Sequence, residues 1–180
     1  SPKAALRCPF GIDRPQDDPE KQYFTLELTE ETRAFIEKLD TAVVTAAEAN
    51  SVAWFKKQHS TSVLNSMFTS NIKPQNGDRP DCVKLKIKTG GKDPTVVTVG
   101  QWKGGKISGK RVGGLDDITE DATVLAEVKV QGGVYFMNGG KTFGVSLAAS
   151  LLLVVKPEGG TASGKRKLDM GDVEFTDGEG

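Results

Sequence analysis

Residues 82–88 read CVKLKIK, and their reading decides the fold. Val83, Leu85 and Ile87 alternate with Lys84, Lys86 and Lys88, a period of two that turns apolar side chains to one face of a strand and lysines to the other. The same signal recurs outward from this segment. On the N-terminal side, Tyr23 to Leu28 (YFTLEL) places Phe24, Leu26 and Leu28 together. On the C-terminal side come Thr95 to Val99, Thr123 to Val130 and Leu151 to Val155, with Val134–Met137 and Thr142–Val145 facing each other across Asn138-Gly139-Gly140, a hairpin turn.

Between the first two strands the period changes. Thr29 is placed to cap a helix whose first turn carries Glu30 and Glu31, favourable against the helix dipole. Phe35, Ile36, Leu39, Val43 and Ala47 recur at three- and four-residue spacing and form its expected apolar face. A short helix over Val52–Gln58 follows, with Ser51 as its cap and Trp54 expected to plug the barrel end. A further helical turn or two after Ser60 points Val63, Leu64, Met67 and Phe68 inward. Lys73-Pro74 and Asn76-Gly77 mark the return to strands.

One strand, a helical insertion and then several strands joined by glycine corners predict a mainly β protein. The expected architecture is a small barrel of the oligonucleotide-binding type with the helical insertion at about residues 30–70. A jelly roll or sandwich is the alternative. Residues 1–22 read as an extended N-terminal arm, 23–156 as the barrel and 157–180 as a disordered acidic C-terminal tail.

Bulk composition narrows the class. The chain has 180 residues, 37% hydrophobic and 27% charged, enough for one core. The most apolar run, Val145–Val155, is too short to span a bilayer, and Ser1–Asp13 has no apolar stretch resembling a signal peptide. The two cysteines, Cys8 and Cys82, are expected to be free thiols, which with the rest of the composition points to an intracellular protein of the cytoplasm or nucleus.

The formal net charge is zero, but it is a sum of unlike parts. Between Ser51 and Leu115 there are twelve basic side chains and three acids, a net of +9. From Pro157 to the end there are six acids and three bases, and the last ten residues hold four acids and no base. A basic middle followed by an acidic end suits a protein that holds a polyanion and carries its own competitor for it.

The residue types in the basic middle favour a single nucleic-acid strand. Lys84, Lys86 and Lys88 stand about 6–7 Å apart on one strand face and could track phosphates, although lysines also serve to solvate an outer strand. Trp102 lies in QWKGGKISGKR with Lys103, Lys106, Lys110 and Arg111, a segment expected to be a flexible loop in which the indole offers a stacking platform. Tyr135 and Phe136 are strand neighbours, so one of them faces outward as a second platform, with Lys141 close by in sequence. Duplex readers need other signatures. One histidine and two cysteines cannot build a zinc finger, and no basic recognition helix stands out.

Enzyme chemistry has little to work with. His59 is the only histidine, no phosphate-binding GxxxxGK[ST] motif is present, and Asp116-Asp117 with Glu120-Asp121 read as a solvated loop. No catalytic residue, metal site or cofactor is expected. The tail, with Asp172, Glu174, Phe175, Asp177 and Glu179, is expected to compete for the basic groove and to recruit partner proteins. Lys165-Arg166-Lys167 ahead of it could serve as a weak nuclear signal or an extra phosphate contact.

Taken together these features resemble the single-stranded DNA-binding proteins of phages and large DNA viruses. The runs WFKKQHSTSVLNSMFTSNIKP and YFMNGGKTFGVSLAASLLLVV look like a family from algal giant viruses, and the likeness runs loosely from Cys8 to Pro157. The tail departs from the pattern: it is less densely acidic and ends in Gly180. The resemblance implies a role in replication, recombination or repair, with single-stranded DNA as partner, RNA as a competitor left open, and replication proteins met through the tail. A homo-oligomer is compatible with it. The rival reading is a non-enzymatic viral structural or protein-interaction module whose basic face meets an acidic partner.

Overall fold

The computed structural model describes residues 5–16, 21–103 and 106–157. Strands β1 (Leu6–Cys8), β2 (Ile12–Asp13) and β3 (Gln22–Glu27) precede helices α1 (Glu30–Ala49), α2 (Ser51–Phe55) and α3 (Thr61–Met67). Then come β4 (Ile72–Lys73), β5 (Cys82–Ile87), β6 (Val96–Lys103), β7 (Lys106–Val112), β8 (Ala122–Met137) and β9 (Thr142–Pro157). The chain is mainly β, an open mixed sheet with three helices inserted between β3 and β4, in keeping with the expected oligonucleotide-binding-like class.

β9 is the spine of the sheet. One edge pairs antiparallel with β8 along nearly the whole of both strands. The other edge takes two partners in succession, both parallel: β5 at Ala148, then β6 from Leu151 to Pro157. Thr95 joins these partners. Its N–H donates to Lys88 O, and its hydroxyl donates to Ala149 O while accepting from Lys88 N–H. The excursion between Lys88 and Thr95 therefore leaves the sheet without breaking its edge.

The sheet runs in the order β1-β8-β9-β5-β3-β2 and curls far enough that β1 comes against β3. Among the described residues no ladder closes that seam. Arg7 of β1 bridges it instead, donating to Glu27 of β3 at 2.6 Å and to Asp121 at 2.5 Å, and these carboxylates, Glu27 foremost, raise its pKa. Within the stretch expected as an extended N-terminal arm, the described residues are built into the sheet: β1 pairs with β8, β2 pairs with β3, and Cys8 is fully buried. Cys8 and Cys82 are both free thiols, and burial pushes both pKa values up.

Inside the curl, Phe24, Leu26, Val83, Leu85, Ile87, Val97, Val99, Val124, Leu152 and Val154 form the core. The alternation of β5 is observed as read, with Val83, Leu85 and Ile87 buried and the lysines outside. In β9 the pattern has to change phase, because Leu147 and Ala149 are inward on one side of Ser150, and Leu152 and Val154 on the other. A β-bulge makes the change: Leu151 opposes Glu127 and Ala149 opposes Val128, leaving Ser150 as the extra residue.

At about 3.3 Å per residue, two sixteen-residue strands are about 50 Å long, and the hairpin outruns the curled sheet around the main core. The turn end of the β8–β9 hairpin therefore continues beyond the core. There its inward face, carrying Phe143 and Val134, is covered by a second apolar cluster with Val44, Ala47 and Leu64. This is what the helical insertion does: it caps the surplus length of the hairpin.

α1 starts as expected, with a reciprocal box in which Thr29 Oγ1 accepts from Thr32 N–H and Thr32 Oγ1 accepts from Thr29 N–H. Its buried face differs from the expected one. Thr32, Ile36, Asp40, Val44 and Ala47 are inside, while Phe35 is 42% exposed. Asp40 can occupy that row because its carboxylate accepts from Ser70 Oγ (2.6 Å), Asn71 N (3.1 Å) and Asn71 Nδ2 (2.8 Å). Three donors offset the cost of burying a charge. Among the described residues no helix is long and apolar enough to cross a membrane.

Candidate nucleic-acid interface

An open groove of about 600 Å³ lies between α2, the loop after it and the tip of the β8–β9 hairpin. Trp54, Phe55 and Phe136 supply its apolar wall, and Lys56, Lys57 and Lys141 its charge. His59 and Met67 complete one side.

Local sequence builds each wall. α2 ends at Lys56, which takes the left-handed conformation (φ 65°) and donates its N–H to Val52 O. The chain then turns back under Ser51, whose buried hydroxyl donates to Lys57 O (3.2 Å) and accepts from His59 N–H (2.9 Å). Ser51 thus lies within the helix, and instead of capping its start it ties down the basic loop after its end. On the opposite wall, Asn138, Gly139 and Gly140 all have positive φ (52°, 66° and 82°), a run that the two glycines make possible and that carries Lys141 back over the groove.

The aromatics form one connected set. Phe55 sits at its centre, edge-on to Phe136 at 5.5 Å, to His59 at 5.4 Å and to buried Phe143 at 5.2 Å between ring centroids. Trp54 reaches Phe136 at 6.3 Å. Phe136 keeps 43% of its surface exposed, and Trp54 and Phe55 are half-buried. Held by neighbours yet open on one side, such rings can stack on a planar ligand with little ordering cost. Among the described residues no carboxylate forms an ion pair with Lys56, Lys57 or Lys141, so the groove carries uncompensated positive charge.

Tyr135 and Phe136 resolve as the alternation requires. Phe136 opposes Phe143 and faces the helices, while Tyr135 opposes Gly144 on the other face and lies close over it. A Cβ on Gly144 would meet the Tyr135 hydroxyl oxygen at 2.7 Å, so the glycine makes room for the ring.

The remaining expected contacts lie elsewhere. The segment expected as a flexible loop around Trp102 is a hairpin, β6 and β7, with Trp102 opposite Ile107 and Lys103 opposite Lys106. Trp102 is half-buried. It lies beside Pro157 of β9, whereas Phe136 lies beside Phe143. Fourteen residues of strand separate the two aromatics, about 45 Å. Arg111 is engaged: with Lys156 and the Gly114 N–H it holds Asp117, whose pKa falls to about 2, chiefly through the Arg111 hydrogen bond. Lys106 and Lys110 are exposed on β7.

Lys84 is exposed on β5, ion-paired to Asp13 at 2.8 Å and 4.5 Å from the centre of the Tyr23 ring. Lys86 and Lys88 are half-buried on the same outer face. Of the residues singled out from sequence, the fold brings only Phe136 and Lys141 into the groove. Trp54, Lys56, Lys57 and His59 were missed as a site, although WFKKQH was visible as a run of aromatic and basic residues. Asp172, Glu174, Phe175, Asp177 and Glu179 lie outside the described residues. Among the described residues no group of side chains could hold a metal ion.

Comparison with solved structures finds this fold similar to that of gp2.5, a single-stranded DNA-binding protein encoded by bacteriophage T7. The TM-score is 0.50 at 15% identity, covering 92% of this chain and 88% of that one. At that identity the likeness is one of fold. No family model matches the chain and no curated protein does, so the likeness to an algal giant-virus family gains no support from them.

Proposed function

We propose that this chain binds single-stranded DNA without catalysing a reaction, and that the groove between α2 and the hairpin tip is its primary contact. The observation that carries this is the conjunction of pre-packed rings open on one side (half-buried Trp54, exposed Phe136) with lysines that form no ion pair among the described residues (Lys56, Lys57, Lys141) around one open cleft. Stacking on aromatic faces and neutralisation of phosphates are the two sequence-tolerant terms of single-strand recognition. The fold shared with a phage single-stranded DNA-binding protein supports the same reading.

Lys84, Lys86 and Lys88 on the outer face, and Trp102, Lys103, Lys106, Lys110 and Arg111 on the β6–β7 hairpin, are secondary contacts in this proposal. Lys84 and Arg111 exchange a carboxylate partner for phosphate. Tyr135 stacks only if the strand also crosses the outer face. The service is to replication, recombination or repair, with the 157–180 segment as competitor for the basic surface and as the handle for replication proteins, at an intracellular replication site.

The test is fluorescence anisotropy with a thirty-nucleotide oligo-dT and the matching duplex at two salt concentrations. Tight, salt-sensitive binding to the single strand, lost in a Lys56→Ala/Lys57→Ala/Lys141→Ala variant, is the expected result. An absence of binding, also when the chain is cut after Pro157, overturns the proposal and leaves the groove as a surface for an acidic protein partner.

A further inference from the structure

β8 has two edges, and only one is used along its length. The first pairs with β9; the second pairs with β1 at Ala122, Thr123 and Val124 and, among the described residues, nowhere beyond. Among the described residues, Leu125–Gln131 therefore presents a strand edge with no partner strand. Val128 and Val130 on this segment are 40% and 45% exposed. An open edge bearing exposed apolar side chains is a template for another strand.

We propose that this edge is the two-fold interface of a homodimer, β8 pairing antiparallel with β8 of a second copy. Its own geometry selects that occupant. In an antiparallel ladder opposed residues point to the same face, so a two-fold axis through the pair must set one residue opposite itself. The free segment runs from 125 to 131, and using all of it centres the pairing on Val128.

In that register Val128 meets Val128, Ala126 meets Val130, and Glu127 meets Lys129 on both sides of the axis. Centring one position earlier would set Glu127 against Glu127, and one position later Lys129 against Lys129, both unfavourable cross-strand pairs. The ends fit as well. The second copy's Gly132 would arrive opposite Val124, where β1 already occupies the edge. There Gly132 and Gly133, both at positive φ (72° and 79°), break the register and turn the chain out of the ladder. From the neighbouring strand β9, Ser150 Oγ donates to Glu127 Oε1 at 2.8 Å, holding that carboxylate in place.

Sedimentation equilibrium on the full chain tests this. The wild type is expected at twice 19.3 kDa. Lys129→Glu sets two glutamates against two glutamates and should raise the dimer dissociation constant roughly tenfold or more. Glu127→Lys combined with Lys129→Glu restores the attraction with reversed sign and should restore the dimer. Both positions are exposed, so neither variant threatens the fold. A wild type that stays monomeric up to about 100 µM, in the range of weak association, a Lys129→Glu variant as dimeric as the wild type, or a double variant that remains as weak as the single one each overturns the proposal.

Discussion

Replacing Phe136 by alanine separates the groove from every other basic surface of the molecule. The ring is 43% exposed and makes two edge contacts, with Trp54 at 6.3 Å and Phe55 at 5.5 Å. Each such pair contributes about 0.5–1.5 kcal/mol, so the variant should lose about 1–2 kcal/mol of stability, given that nearly half the ring is already in water. If one base stacks there, binding loses a further ~1–3 kcal/mol, a dissociation constant about 5- to 150-fold higher. Because the substitution removes no charge, the slope of log K against log salt should stay as in the wild type.

The assay is oligo-dT anisotropy across a salt series, at a temperature well below the melting transition of the variant. Phe136→Leu is the discriminating control. It keeps apolar bulk against Trp54 and Phe55 but has no ring face, so it should recover stability without recovering affinity. Binding of Phe136→Ala within twofold of wild type, or full recovery by leucine, refutes a stacking role for the groove.

Other outcomes follow from the same structure. Lys56→Ala and Lys57→Ala together should flatten the salt slope by about 1.4, at about 0.7 per phosphate contact, with a melting temperature near that of the wild type. Asp40→Ala should cost about 2–4 kcal/mol in denaturant unfolding, because it strands the Asn71 N–H in a part-buried site and removes charge-assisted bonds that tie α1 to the chain before β4. Asp117 has a folded pKa of about 2, below the ordinary carboxylate value, so its stabilisation is fully present above about pH 4 and is lost as pH falls toward 2. Asp117→Asn should therefore be less stable than wild type by about 1 kcal/mol at neutral pH, discounted for the exposure of Arg111, with the difference closing in acid.

Much of the architecture is legible locally. The β5 alternation, the Thr29 cap and the Asn138–Gly140 turn each rest on the steric preferences of a few neighbouring residues, and each stands in the structure where its residues place it. Gly100–Arg111 was misleading because its glycines and lysines resemble a loop; instead, β6 adds to the C-terminal half of β9, and β7 folds back on β6. Ile107 packing over Gly100, where a Cβ would meet it at 2.5 Å, helps to fasten that hairpin. The β1 pairing was equally hidden, since three residues of strand carry no periodic signal and depend on a partner more than a hundred positions away.

The candidate site divides along the same line. By itself the sequence determined that the chain is mainly β with a helical insertion, that positive charge gathers in its middle, and that aromatics stand among the lysines. These are properties of composition and of periods two and 3.6, which neighbouring residues set for themselves. Only the tertiary structure decided that Trp54 and Phe136 share one groove while Trp102 lies about 45 Å away along β9. It also decided that Arg111 is held by Asp117 while Lys56 and Lys57 stand open. Proximity between distant segments follows from strand pairing and from the length by which one hairpin outruns the curled sheet, and no local pattern encodes either.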